Sequence, residues 1–179
     1  MAVRAVPFVN LNRVLGPAGE RWMALHAKVP HSDALCLIDA FNQMIEPHRT
    51  TLNKVGVELS TLLTTMQTHA FSCETIFHWF HSWLPMHRAI PDPEHLGRLN
   101  EPQPNLVARE MVARLRSETL ALFDSFGAAS NQLGRTYGYV DKLTPENREL
   151  LVTLKSQLDP QGLMNPGVLG LPDQKRRGG

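Results

Sequence analysis

A chain of 179 residues, 42% hydrophobic and 20% charged, has the makeup of one domain or one and a half small ones, long enough to bury a core. Its formal net charge of +1 removes the broad electrostatic case for nucleic acid or an anionic membrane as partner. No stretch reaches the ~18–20 apolar residues that a bilayer span needs, so no membrane span is expected.

The opening MAVRAVPFVNLNRV lacks the hydrophobic region and cleavage site of a signal peptide, and a cytoplasmic location is expected. Two cysteines, Cys36 and Cys73, make no disulfide framework; both lie in apolar contexts and read as buried free thiols. Four segments are expected: 1–20 irregular, 21–130 a first domain, 131–171 a terminal segment and 172–179 a disordered tail. In that tail Lys175, Arg176 and Arg177 form the one basic cluster, which reads as a solvated terminus.

In chain order, Arg21 to Val29 alternates as a strand, with Met23, Leu25, Ala27 and Val29 on the apolar side. Pro30 ends it, and Ser32 or Asp33 is placed to cap a helix. That helix shows Ala34, Ile38, Phe41 and Ile45 on one face; Pro47 predicts a kink or stop, and Gly56 a stop if it runs on. Val57–Gln67 and Ala70–Phe80 read as two further strands joined near Thr68 and His69. The sum is an α+β fold, an antiparallel sheet with helices on one face, a ferredoxin-like half-sandwich.

Residues 85–104 are proline-rich and read as a long loop, a functional lid or a disordered stretch, with His87 and His95 solvated. Asn105 to Phe126 is the clearest helix, with Val107, Met111, Leu115, Leu122 and Phe126 as its core stripe and Gly127 as its left-handed stop. A short strand is expected over Ser130–Tyr139. Thr144 then caps a last helix, Pro145 takes its first position, and Leu150, Leu151, Leu154 and Leu158 are expected to bury one face. Turns at Asp159–Gly162 and Asn165–Gly167 lock the tail.

The densest chemistry lies in ETIFHWFHSWLPMH, Glu74 to His87. On a strand, Glu74, Ile76, His78 and Phe80 share one face, and Cys73, Thr75, Phe77, Trp79 and His81 the other. Glu74 and His78 therefore point together as substrate-pocket candidates, with His81 beside them in sequence. Imidazole and carboxylate also ligate zinc. Against a metal site, no HExxH or His-x-His spacing occurs, and His78 and His81 face opposite ways. The plain alternative is a half-buried aromatic strand whose histidines meet polar partners. Ser32, Ser60 and Ser72 lie in no nucleophile-elbow context. Neither GxGxxG nor a phosphate loop is present, and Gly16 to Gly19 is a turn. Arg135, between Gly134 and Thr136, carries a permanent charge that forks onto anions, with Tyr137 and Tyr139 following at period two; an ordinary salt-bridge or stacking arginine is the competing reading.

The run GRTYGY, then a helix ending in K-x-x-LDPQGLMNPG, resembles the C-terminal end of FAD-linked oxidases of the vanillyl-alcohol oxidase superfamily. GERWMALHAKVPHS (19–32) and ETIFHWFHSWLPMHR (74–88) are more loosely similar to cap-domain segments of the same family, in the same order, so the likeness spans about residues 16–171. It implies a cap domain over a flavin and a tail that returns to it. The residues it implies are Arg135 and Tyr137 as catalytic, Arg135, Asn165 and Gly167 near FAD, and Glu74, His78 and His81 in the substrate pocket. His78-Trp79-Phe80-His81 stands where relatives have Tyr-Trp-x-Asp, and Gly138 where many have proline. The family's FAD-binding domain has no counterpart in this sequence, so FAD is expected only when a partner chain carrying that domain completes the enzyme. The implied substrate is a small alcohol, phenol or 2-hydroxy acid, and a homo-oligomer fits as well. The alternatives are a non-catalytic remnant or protein-interaction module, and a metal-binding domain through Glu74, His78 and His81.

Overall fold

The computed structural model describes residues 11–171, so the first half of the irregular segment and the basic tail lie outside the described residues. The chain divides into two compact units, with the division in the chain between Ala129 and Ser130.

In the first unit, β1 (Arg21–Pro30), β2 (Val57–Met66) and β3 (Ala70–Trp79) form an antiparallel sheet in the order β1-β3-β2. The register sets Glu74 between His26 and Leu62, and Thr75 between Leu25 and Thr61. Because side chains alternate, one face collects Leu25, Ala27, Val29, Cys73, Thr75, Phe77 and Trp79, all buried. Helices α1 (Ala34–Ile45), α2 (Arg49–Val55) and α5 (Leu106–Ser125) lie on that face. The fold is α+β, with an antiparallel sheet and several helices. Phe41, Ile45, Leu52, Val57, Phe77, Trp79, Ala108, Val112 and Leu115 make its core.

Local chemistry explains the element ends. Pro47 falls in a 3-10 turn, Glu46–His48, that joins α1 to α2, and Gly56 closes α2 at φ 73°, a left-handed conformation that glycine adopts without strain. Asn105 caps α5 by accepting from the Ala108 N–H at 3.0 Å, while its Nδ2 donates to the Val55 carbonyl at 3.0 Å. Neither Ser32 nor Asp33 caps α1 with a side-chain hydrogen bond. The Ser32 hydroxyl donates to Asp33 Oδ1 instead, and a 3-10 turn leads into the helix.

Several expectations are corrected. The buried stripe of α5 is Ala108, Val112, Leu115, Thr119 and Phe123: Leu115 is buried as expected, but Ala108, Val112 and Phe123 lie one position on from Val107, Met111 and Leu122, and Val107 is exposed. Both patterns have helical period, and small Ala108 and polar Thr119 concealed the true one. In α1, Leu37 is buried where Ile38 was expected. Cys36 is exposed on the outer side of α1; only Cys73 is buried.

Residues 85–104 are neither a bare loop nor loose. They hold two short helices, α3 (Pro85–Ala89) and α4 (Pro93–Leu96), strapped down by long-range bonds. Trp83 Nε1 donates to the Gly19 carbonyl at 2.8 Å, Glu101 receives both the Trp83 N–H and the Arg88 guanidinium, and Asn12 exchanges two hydrogen bonds with Asp92. His87 is buried in this strap, not solvated.

The second unit has no strand over Ser130–Tyr139; the backbone bends there and enters a 3-10 turn at Val140–Lys142. Its helix α6 (Pro145–Leu158) begins as expected, with Thr144 Oγ1 accepting from the Asn147 N–H and Pro145 in the first turn. Its leucines do not bury a face: Leu150, Leu154 and Leu158 are exposed and Leu151 is half-buried.

Candidate functional site

The sheet face opposite the helices carries Trp22, Ala24, His26 and Lys28 from β1, Ser72, Glu74, Ile76 and His78 from β3, and Glu58, Ser60, Leu62 and Thr64 from β2. Strand alternation brings these polar groups together, and register fixes their partners. His26 Nε2 stands 3.6 Å from Glu74 Oε1, and His78 Nε2 lies 3.0 Å from Ser60 Oγ. At one end of this face a cleft of about 360 Å³ is lined by Glu20, Glu58, Ser60, His78, Trp79 and Phe80 among others. That volume lies at the small end of the ~300–1,000 Å³ of ligand sites, enough for one aromatic ring or a short-chain molecule. Trp22 and Phe80 are exposed aromatic surfaces on or beside the same face.

Glu74 and His78 thus share the open face. His81 is separated from them: it is buried, and its Nδ1 accepts the Asn105 N–H at 2.7 Å at the start of α5. Burial, with Arg21 and Arg109 nearby, holds its pKa below the ordinary histidine value. The accepted N–H acts in the same direction, because it requires Nδ1 to carry no proton. His87 shares the arrangement, with Nδ1 accepting the Leu84 N–H at 3.1 Å and its pKa lowered by burial, Arg21 and Arg88. Both histidines serve as backbone-capping groups of the fold. The metal reading through Glu74, His78 and His81 has no matching geometry: no cluster of three or more His, Cys, Asp or Glu placed to hold a metal occurs among the described residues. Burial pushes the Cys73 thiol up to about 11, which removes it as a nucleophile at neutral pH.

The second unit brings three other candidates together. The Arg135 guanidinium donates to the Pro166 carbonyl at 2.6 Å, and the Leu169 N–H donates to the Gly134 carbonyl at 2.8 Å, so Arg135 lies against the turn Asn165–Pro166–Gly167. Asn165 and Gly167 both have positive φ, 45° and 69°. Asp159 organises the neighbouring turn. Its carboxylate accepts from Lys155 Nζ at 2.5 Å and from the N–H groups of Leu163 and Met164 at 2.8 and 2.9 Å, and Lys155 also reaches the Met164 carbonyl. These donors hold the Asp159 carboxyl below its usual range. Tyr137 does not continue Arg135's side: with no strand there, Arg135 is exposed and Tyr137 buried.

Sequence reasoning did not single out Ser60 as His78's partner, nor Glu20 and Glu58 as walls of the cleft; cross-strand register supplies that information, and composition does not. Compared with known proteins, the chain matches no family model, no curated protein and no solved structure. No helix among the described residues is long and apolar enough to cross a membrane.

Proposed function

We propose that this chain forms the substrate-covering and terminal part of an FAD-linked oxidoreductase acting on a small alcohol, phenol or 2-hydroxy acid, with FAD held mainly by a partner chain. The observation that carries the reading is the open sheet face. Helices cover one side, while the other presents Glu74 and His78 on rigid strands beside a cleft of single-ring size. Such a surface suits a lid over a reacting centre, because strands fix side chains more tightly than loops do. The sequence resemblance supplies the flavin half of the proposal.

FAD, when bound, would accept the hydride; everything else falls to protein side chains. In the tautomer whose Nε2–H donates to Ser60 Oγ, Nδ1 of His78 carries the lone pair that receives a proton from a substrate hydroxyl. Trp22 and Phe80 provide aromatic surface for a ring. The donor set of the second unit fits an anionic cofactor or substrate group: Arg135 spends one donor on Pro166 and is otherwise exposed, and it stays charged throughout the working range. The exposed Leu150, Leu154, Leu158, Leu163 and Met164 offer apolar surface for docking on the cofactor-bearing chain.

Co-expression with a chain that carries an FAD-binding domain, taken from the adjoining reading frame, tests this. The expected result is a yellow complex whose visible flavin band bleaches with a substrate from a panel of alcohols, phenols and 2-hydroxy acids. His78→Ala and Arg135→Met should form the complex but bleach at least ~100-fold more slowly, the scale of a lost acid–base or charge contact. A complex that no such substrate reduces sinks the proposal, as does full activity in both variants. Stable isolation with no flavin-bearing partner would favour a non-catalytic interaction module.

A further inference from the structure

The two edges of the sheet are built differently. Edge β1 carries Arg21, Lys28 and Pro30, and Lys28 exchanges backbone hydrogen bonds with Ala129 at 2.8 and 2.9 Å. Charge, proline and a covering segment are the ordinary means of keeping an edge from pairing with another chain. Edge β2 has neither proline nor a covering segment among the described residues, and its one charge, Glu58, sits near its start. From Leu59 to Met66 it contains no charged residue and no proline, and it makes no backbone hydrogen bond outside its ladder with β3 among the described residues. Past Leu59 its apolar side chains are uncovered on both faces: Leu62 is 56% exposed on the open face, and Leu63 is 45% exposed on the helix-bearing face. Leu63 aligns with buried Cys73, so it holds a core position that the helical layer does not reach.

We propose that the chain dimerises by antiparallel pairing of β2 with β2 of a second copy, centred on Leu62, which joins the two sheets into one. The pattern is self-complementary. Centring on Leu62 places it against its own counterpart, sets Leu63 against Thr61, and puts Glu58, the one charge of β2, opposite Met66. The two Glu58 carboxylates then lie roughly 26 Å apart at about 3.3 Å per residue, well beyond the ~8 Å screening length at physiological salt. A two-fold axis normal to the sheet keeps both helical layers on the same side, and it brings the uncovered Leu63 positions of the two copies close to the joint. This inference does not rest on the flavin reading.

Light scattering behind size-exclusion chromatography on the full chain tests it across micromolar concentrations. The wild-type chain is expected at twice its monomer mass. The double variant Leu62→Lys/Thr64→Lys alters two exposed side chains and is expected at monomer mass with an unchanged far-UV spectrum. A wild-type monomer at every concentration overturns the proposal, and so does a variant that remains dimeric. Should the lysine variant lose its fold, a second variant decides: Leu62→Cys in a Cys36→Ser background. Directly opposed strand residues stand ~4.5–5.5 Å apart at Cα, within disulfide reach, so mild oxidation should link most of the dimer through residue 62. A dimer that does not cross-link there would mean another interface.

Discussion

The two compact units hold their shape by different means. The first, up to Ala129, buries a continuous apolar core between a sheet face and three helices, and its polar bonds mostly tie loops to that core. The second, from Ser130, has a fourteen-residue helix with no fully buried side chain, and its order comes from turn chemistry: Asp159 gathers one ammonium and two N–H groups, and Arg135 ties Gly134's loop to Pro166. Periodic leucines therefore mean burial in one unit and exposure in the other. The hydrophobic pattern of a helix states which face would be buried, not that a facing element exists.

The largest test of this contrast is Leu115→Ala. Leu115 is fully buried in the core beside Val112 and Phe77, so truncation leaves a cavity. The expected loss is about 2–5 kcal/mol in chemical denaturation, a large part of the ~5–15 kcal/mol by which domains are stable. All three tryptophans, Trp22, Trp79 and Trp83, lie in the first unit and both tyrosines, Tyr137 and Tyr139, in the second. Tryptophan emission should therefore report the loss while tyrosine ring resonances stay native. Simultaneous loss of both signals would show that the units are one cooperative body.

A smaller effect separates the units by pH. His81 and His87 have folded pKa values below the ordinary ~6.5, so between the two values the folded state binds fewer protons than the unfolded one. Their contribution is complete above about pH 6.5 and is lost as pH falls through that value towards the folded one. Asp159 is also lowered, which for a carboxylate means stability present above about 3.8 and lost as pH falls through its folded pKa. The tryptophan-monitored urea midpoint is expected to decline on mild acidification while the tyrosine resonances hold until strong acid. His81→Asn with His87→Asn keeps a short acceptor at each site and should flatten the first decline; an unchanged slope would remove these histidines as its cause.

How much was legible follows the same division. The three strands, the Gly56 stop, the Asn105 start and the Thr144–Pro145 start could all be read, because alternation and capping are local signals. The position of Glu74 and His78 on one face came from alternation alone. Four things escaped. The α5 stripe slipped by one because Ala108 and Thr119 carry little hydrophobic signal. His81 and His87 became buried acceptors of backbone N–H groups, which depends on residues up to 24 positions away. The strand expected at Ser130–Tyr139 rested on β-forming residues without a neighbouring edge to pair with, and no local pattern reports that neighbour. The Ser60 contact to His78 needed the β2–β3 register, which the three-residue turn at Gln67–His69 sets.

The smallest expected effect is the sharpest probe of the second unit. Leu158 is 76% exposed and Leu154 47% exposed, although both lie on what the sequence marks as the apolar face of α6. Glutamine has nearly the helix propensity of leucine and adds no charge to the helix end, so Leu158→Gln isolates burial from the other determinants. For so exposed a side chain, the change is expected to stay within about 0.5 kcal/mol by tyrosine-monitored denaturation of the isolated chain. A loss above ~1.5 kcal/mol would mean that leucine is buried after all, and that the helix obeys its period as α5 does. The same variant mixed with a flavin-bearing partner gives the complementary reading. An apolar docking surface would lose affinity there while the isolated chain keeps its stability, and a surface with no partner would register neither change.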